Sequence, residues 1–277
     1  MKTHYDIVVV GAGHAGCEAA AAAARLGQSV AMISLHADQV GRLSCNPAIG
    51  GLAKGNLVRE LDALGGLMAK ITDAATIQFR VLNTRKGLAV RSSRAQVDID
   101  IYPQKMRETL NKLDGLDFIE GEVVAVDHQN GRVEGVRLAN AQNLSCRAVI
   151  LTTGTFLGGL LHCGDSKKEG GRVGENAAHA LSDSLRKIGL RLGRLKTGTT
   201  PRLDGRTIRW EALESQASVS GHFSFDPPQK RLPEILCHIA HTHEGTHEII
   251  RQNLERSAVY GGQIEGTGPR YCPSIED

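Results

Sequence analysis

Ile7-Val8-Val9-Val10-Gly11-Ala12-Gly13-His14-Ala15-Gly16 is the stretch on which the fold turns. A β-branched run stops at glycine, and the six residues from Gly11 match G-x-G-x-x-G between a predicted strand and a predicted helix. The helix is read over residues 18–26, alanine-rich and ended by Gly27, and residues 29–33 give a second strand. Together they make a β-α-β unit of about 30 residues, whose right-handed crossover implies a parallel sheet. The glycines have separate duties. Gly11 permits the tight turn, Gly13 lets the backbone approach a pyrophosphate, and Gly16 lets helix and strand pack closely. Amide N–H groups at the helix start, in the loop that includes Ala12, His14 and Ala15, would face the phosphates. The expected ligand class is a dinucleotide.

The rest of the composition agrees. The chain has 277 residues, of which 41% are hydrophobic, 23% charged and 4% aromatic, with 32 glycines against 8 prolines. That is enough to bury one large core or two modest ones, and it excludes a disordered or fibrous chain. No apolar run approaches the ~18 to 20 residues that cross a bilayer, and Met1-Lys2-Thr3-His4-Tyr5-Asp6 leads into a strand without a signal-peptide core. A cytoplasmic protein without membrane contact is expected. The six cysteines (17, 45, 146, 163, 237 and 272) form no C-x-x-C, so they are read as reduced thiols rather than a disulfide framework or zinc ribbon.

Residues 41–66 are punctuated by glycine, 67–78 look helical, 79–94 form a basic polar stretch, and 95–113 carry a helical pattern interrupted at Pro103. Strand patterns follow at 118–119, 122–126, 133–138 and 148–151, with a turn at Gln129-Asn130-Gly131. This is a small antiparallel meander returning to the parent sheet. A helix is expected at 175–188 and a strand at 190–195; past Pro201 the texture turns irregular. The boundary drawn there gives residues 1–200 as a dinucleotide-binding domain and 201–277 as part of an inserted one.

The acid that binds ribose hydroxyls in such units lies about 20 residues past the fingerprint. Here the second strand ends Ile33-Ser34-Leu35-His36, with no acid before Asp38. The strand Ala148-Val149-Ile150-Leu151-Thr152-Thr153-Gly154 resembles the one that returns to the cofactor in flavoproteins of the glutathione-reductase type, in which Asp6 to Gly16 would match the opening D-x-x-x-x-G-x-G-x-x-G. FAD is therefore preferred over NAD as the held cofactor. The fold class is α/β: an FAD-binding, Rossmann-like parallel sheet of that type, with the meander and the start of an inserted domain. In Ser44-Cys45-Asn46-Pro47-Ala48-Ile49-Gly50-Gly51 a cysteine sits in a Gly/Pro loop within reach of a flavin, but Gly50 stands where a C-x-x-x-x-C disulfide reductase needs its second cysteine.

Four motifs together resemble the MnmG family, also called GidA: the 44–51 loop, Asp62-Ala63-Leu64-Gly65-Gly66-Leu67-Met68, Arg194-Leu195-Lys196-Thr197-Gly198-Thr199-Thr200-Pro201-Arg202, and Gly268-Pro269-Arg270-Tyr271-Cys272-Pro273-Ser274-Ile275-Glu276-Asp277. The resemblance implies modification of the wobble uridine of certain tRNAs, at C5, with the GTPase MnmE as partner. It further implies FAD as cofactor, NADH and methylene-tetrahydrofolate as co-substrates, and a homodimer that forms a heterotetramer with MnmE. C5 of uridine is a poor nucleophile until a group adds at C6, and a thiolate suits that task. Cys45 and Cys272 match the family's two functional cysteines; which of them attacks the base stays open. Gly11 to Gly16 would hold the FAD pyrophosphate, and Val123 matches a position whose backbone meets the adenine. A neighbouring contact, usually serine, is here Ala178. Family members run to more than twice this length, so the chain is expected to be a fragment.

Charge is distributed unevenly. Residues 186–209 hold eight Lys/Arg against the single acid Asp204, and Arg80, Arg85, Lys86, Arg91 and Arg94 make a second basic stretch. Such clusters suit phosphate contacts with RNA, and equally a solvated face. His241, His243 and His247 lack the spacing of a known zinc motif, and no metal is expected. The rival readings are the related folate- and FAD-dependent tRNA (uracil-C5) methyltransferase, against which the 44–51 loop argues, and a noncatalytic FAD- or RNA-binding module.

Overall fold

The computed structural model describes residues 2–43, 46–172, 174, 177–229, 231–264, 266 and 275. Cys45 and Cys272 lie outside them. The opening β-α-β unit is formed by β1 (His4–Val10), α1 (His14–Arg25) and β2 (Val30–Ser34). The helix begins at His14, four residues before the expected start at residue 18, because Gly16 belongs to its first turn. Ala20, Ala21, Ala23 and Ala24 are buried. Side chains this small let the helix axis close on the sheet.

Chain order continues with β3 (Ala48–Gly50), α2 (Lys54–Ala63), α3 (Met68–Ala75), β4 (Thr76–Leu82), β5 (Ser92–Val97), α4 (Ile101–Leu110), β6 (Leu116–Glu120), β7 (Val123–Gln129), β8 (Arg132–Leu138) and β9 (Asn143–Leu151). The main sheet has the order β6-β2-β1-β9-β8-β7. β6, β2, β1 and β9 run parallel, with Val8 opposite both Ala31 and Val149, whereas β8 and β7 are antiparallel additions. Val8, Val9 and Val10 are buried, as befits a strand with parallel neighbours on both sides. Asp6 ties the starts of β1 and β2 together: its carboxylate accepts from the Ser29 N–H and hydroxyl, each at 2.9 Å.

The middle region departs from the sequence reading. The helix expected over 67–78 stops at Ala75, and the two ends of the basic stretch belong to β4 and β5 of a three-stranded antiparallel sheet, order β3-β5-β4. The outward pair explains the disguise: Phe79 and Ala95, opposite each other, are buried, whereas the adjacent pair Arg80 and Arg94 is not. Pro103 does not interrupt α4. It occupies the first turn, where the N–H that proline lacks has no helical partner anyway.

Two compact units divide the chain: Met1–Gly154 with Gln216–Cys237, and Thr155–Ser215 with His238–Asp277. The chain passes between them at 154/155, 215/216 and 237/238. In the first unit the return segment 216–237 is held by side chains far away in sequence. Asp73, buried, accepts the N–H groups of Phe223 and Ser224, and Asp62 accepts the Ser224 O–H and the Phe225 N–H. Phe223 is fully buried against Phe79, ring centroids 5.7 Å apart. It joins a core of Met32, Ile49, Val58, Tyr102, Met106 and Leu110. Each such side chain contributes about 1.5–3 kcal/mol on burial.

The second unit contains the hairpin β10 (Leu160–Cys163) and β11 (Ser166–Glu169), α5 (His179–Lys187) and α6 (Glu244–Asn253). Residues 190–195, expected as a strand, form none. Among the described residues, no helix is long and apolar enough to cross a membrane.

Candidate functional site: the glycine crevice of the parallel sheet

From β1 the chain leaves through α1 to β2 on one side, while β9 lies on the other, so the crevice of an α/β sheet opens at the carboxyl ends of β1 and β9. Gly11 sits there with φ +105° and donates its N–H to the Ile33 carbonyl at 2.8 Å. A Cβ at Gly11 would overlap the Thr152 carbonyl, and one at Gly16 would lie 2.8 Å from the Thr152 hydroxyl and nearer still to the Gly11 carbonyl. The fold itself demands these two glycines.

Gly13 is different. Its backbone is extended, φ −71° and ψ −172°, and a Cβ there would meet nothing within 4 Å. Among the described residues, no side chain occupies that space. Gly13 is also the N-cap of α1, with no side-chain cap and no acid in the first turn, so the positive end of the helix is left to its amides. An open backbone in front of an uncapped helix start is the donor set that an anionic pyrophosphate requires, so the residues present fit a dinucleotide.

The remaining loop residues are fixed by the protein. The Ala12 carbonyl accepts from Gly41 N–H at 2.8 Å, and Ala15 is exposed. His14 Nδ1 is 3.3 Å from the Tyr102 hydroxyl, their rings edge to face. Burial raises the Tyr102 pKa, which keeps that hydroxyl protonated. Thr152, just past β9, ties that strand end to the glycine turn: its N–H reaches Val10 O at 2.8 Å, and its hydroxyl lies 2.9 Å from Val10 O and 3.0 Å from Gly11 O. The Thr-Gly strand end was visible in the sequence, but not this duty of its threonine.

Val123 begins β7 opposite Leu138 and is buried. The adjacent Gly121 donates to Ser34 O at 2.8 Å, and a Cβ on it would lie 2.9 Å from Leu138 Cδ2. Gly121, two residues before Val123, is thereby fixed to the carboxyl end of β2. In the second unit, Ala178 directs its N–H to Phe156 O at 2.8 Å and its carbonyl to Gly158 N–H at 3.2 Å.

Cys45 and Cys272 lie outside the described residues, whereas Gly50 lies within them. Its φ is +90°, and a Cβ would lie 2.6 Å from the Phe223 ring. No second cysteine fits there. Of the described cysteines, Cys17 is buried and its thiol is pushed up to about 12 by desolvation, and burial also raises Cys146 and Cys237. None of these three is poised as a thiolate nucleophile.

Of the basic residues in 186–209, Arg186 pairs with Asp183 and Arg206 with Asp204, both exposed. In the other unit Arg80 donates to Ala217 O at 2.9 Å. His247 is engaged by the Thr242 hydroxyl at 2.8 Å. A cavity of about 190 Å³ lined by Arg25, Asp62, Lys70 and Phe225 contains none of the glycine-loop residues.

Sheet, crevice and glycine turn define the class: an α/β protein of Rossmann type. The family model described as "Glucose inhibited division protein A" matches residues 6–277, and the chain belongs to that family. It is 52% identical over 275 residues to the tRNA uridine 5-carboxymethylaminomethyl modification enzyme MnmG of Pelobacter propionicus, covering 99% of this chain and 44% of that protein. The protein of the same name from Geobacter sulfurreducens is 52% identical over 278 residues, with 100% and 44% covered. The structure of Aquifex aeolicus GidA in its form I crystal matches with a TM-score of 0.89 at 48% identity, over 99% of this chain and 47% of that one. The chain therefore spans less than half the length of these relatives.

Proposed function

We propose that this chain forms the FAD-holding part of a tRNA-modifying enzyme that acts at C5 of the wobble uridine. The single observation that carries the reading is the open Gly13 backbone before the uncapped start of α1, in a chain about half identical to proteins named for that modification. Gly11 to Gly16 would hold the FAD pyrophosphate, and the Val123 backbone would meet the adenine. Bound flavin would supply redox and one-carbon transfer chemistry, with NADH as reductant and methylene-tetrahydrofolate as carbon donor. Cys45 and Cys272 are assigned to the thiol work, one adding to C6 of the uridine so that C5 becomes nucleophilic.

Partners and organisation belong to the same proposal. The residues up to about 200 serve FAD, and 201–277 belong to an inserted domain. The complete protein acts in the cytoplasm as a homodimer joined to the GTPase MnmE in a heterotetramer, and the basic residues of 186–209 contact tRNA phosphates. Two rivals remain distinct: a folate-dependent tRNA methyltransferase and a noncatalytic module.

Flavin absorbance and nucleoside analysis separate these readings. In the complete polypeptide, Cys45→Ser or Cys272→Ser is expected to abolish uridine modification while FAD stays bound. Full activity in both variants would remove the cysteines from the mechanism. A colourless protein that refuses added FAD would favour the module, and 5-methyluridine as the product would favour the methyltransferase.

A further inference from the structure

A diol-binding carboxylate is absent from the end of β2, yet the structure supplies one from the neighbouring strand. Glu120 ends β6 in parallel register with Ser34, the last residue of β2. Its Oε2 accepts the Ala37 N–H at 3.0 Å, which fixes the carboxylate over the turn that leaves β2. His36 Nδ1 is 3.8 Å from Oε1, outside hydrogen-bond reach, and both side chains are 58% exposed. Among the described residues, Oε1 has no hydrogen-bond donor of its own. Three residues on, Val123 begins β7. Asp38, the nearest acid in sequence, lies on the 3-10 turn Ala37–Gln39 beyond the strand.

We infer that Glu120 is the specificity-determining residue that accepts the adenosine ribose hydroxyls of the bound dinucleotide, taking the place of the missing acid on β2. The inference rests on the FAD reading above. An ionised acceptor strengthens hydroxyl hydrogen bonds, and a parallel neighbour can present it at the same edge of the sheet because register places its last residue level with that of β2. Gly121 extends the arrangement, since its N–H bonds to Ser34 O at 2.8 Å and keeps the two strand ends in step. No carboxylate is needed within β2 when β6 delivers one.

The test is FAD affinity in the complete polypeptide, measured by flavin fluorescence for the unaltered protein, Glu120→Ala and Glu120→Gln. A second titration uses an FAD analogue lacking the adenosine 2′ and 3′ hydroxyls. Glu120→Ala is expected to weaken FAD binding tenfold or more. Glu120→Gln, which keeps an acceptor for Ala37, should show a smaller loss with an unchanged melting temperature. Neither substitution should matter for the analogue. Unchanged FAD affinity in Glu120→Ala, or an equal loss for FAD and the analogue, would overturn the inference while leaving the FAD reading intact. Failure of the unaltered protein to bind FAD would overturn both.

Discussion

At the scale of single residues, the glycine fingerprint separates into architecture and ligand binding. Gly16 has the Gly11 carbonyl and Thr152 hydroxyl where a side chain would go, and Gly13 has open space. Gly16→Ala is expected to lose at least about 1–3 kcal/mol of stability through overpacking, read from the urea midpoint. Gly13→Ala, which meets no clash, should lose less than Gly16→Ala, about 1 kcal/mol or less for the change at an N-cap, while weakening FAD retention. Equal stability loss in the two variants would contradict the division. Asp6 carries a pH signature of its own. Hydrogen bonds from the Ser29 N–H and hydroxyl hold its carboxyl below the ordinary value, with Arg147 at 3.7 Å assisting. A carboxyl with a lower pKa folded than unfolded stabilises above the unfolded value, and that stabilisation is lost as pH falls through the folded one. Asp6→Asn should therefore be less stable than the unaltered chain at neutral pH, and the gap should close on acidification. A constant gap from neutral to acid pH would count against the Ser29 tie.

At the scale of elements, what was legible followed from local pattern. The β1-α1-β2 unit, the meander, and the family motifs could be read because each is contiguous and its period or spacing is short. The β4–β5 hairpin was hidden because its outward positions carry arginine, so alternation looked like a basic loop. The segment 216–237 has little periodicity, and its place is set by Asp62 and Asp73, more than a hundred residues earlier. Glu120 escaped for a related reason: the search for an acid ran along β2, whereas the sheet borrows it from β6. Two substitutions test these contacts. Thr152→Val keeps the shape but removes the hydroxyl that bridges to the Val10 and Gly11 carbonyls, and a loss of about 0.5–1.5 kcal/mol is expected. Phe223→Ala empties a fully buried site and should lose about 3–5 kcal/mol, with faster proteolysis between 216 and 237. Proteolysis unchanged by Phe223→Ala would show that this ring does not hold the segment.

At the scale of the whole molecule, family membership and fold rest on a match that runs almost the length of the chain, yet the relatives are more than twice as long. The proposed function assigns catalysis and tRNA recognition to the complete polypeptide, whereas the glycine crevice is formed within these residues. The most direct measurement is mass spectrometry of tRNA nucleosides from cells lacking the intact gene, before and after it is restored. The expected result is loss of the aminomethyl-type wobble uridines and their return with the unaltered gene but not with Cys45→Ser or Cys272→Ser; an unchanged nucleoside profile in the deleted cells would contradict the assigned function.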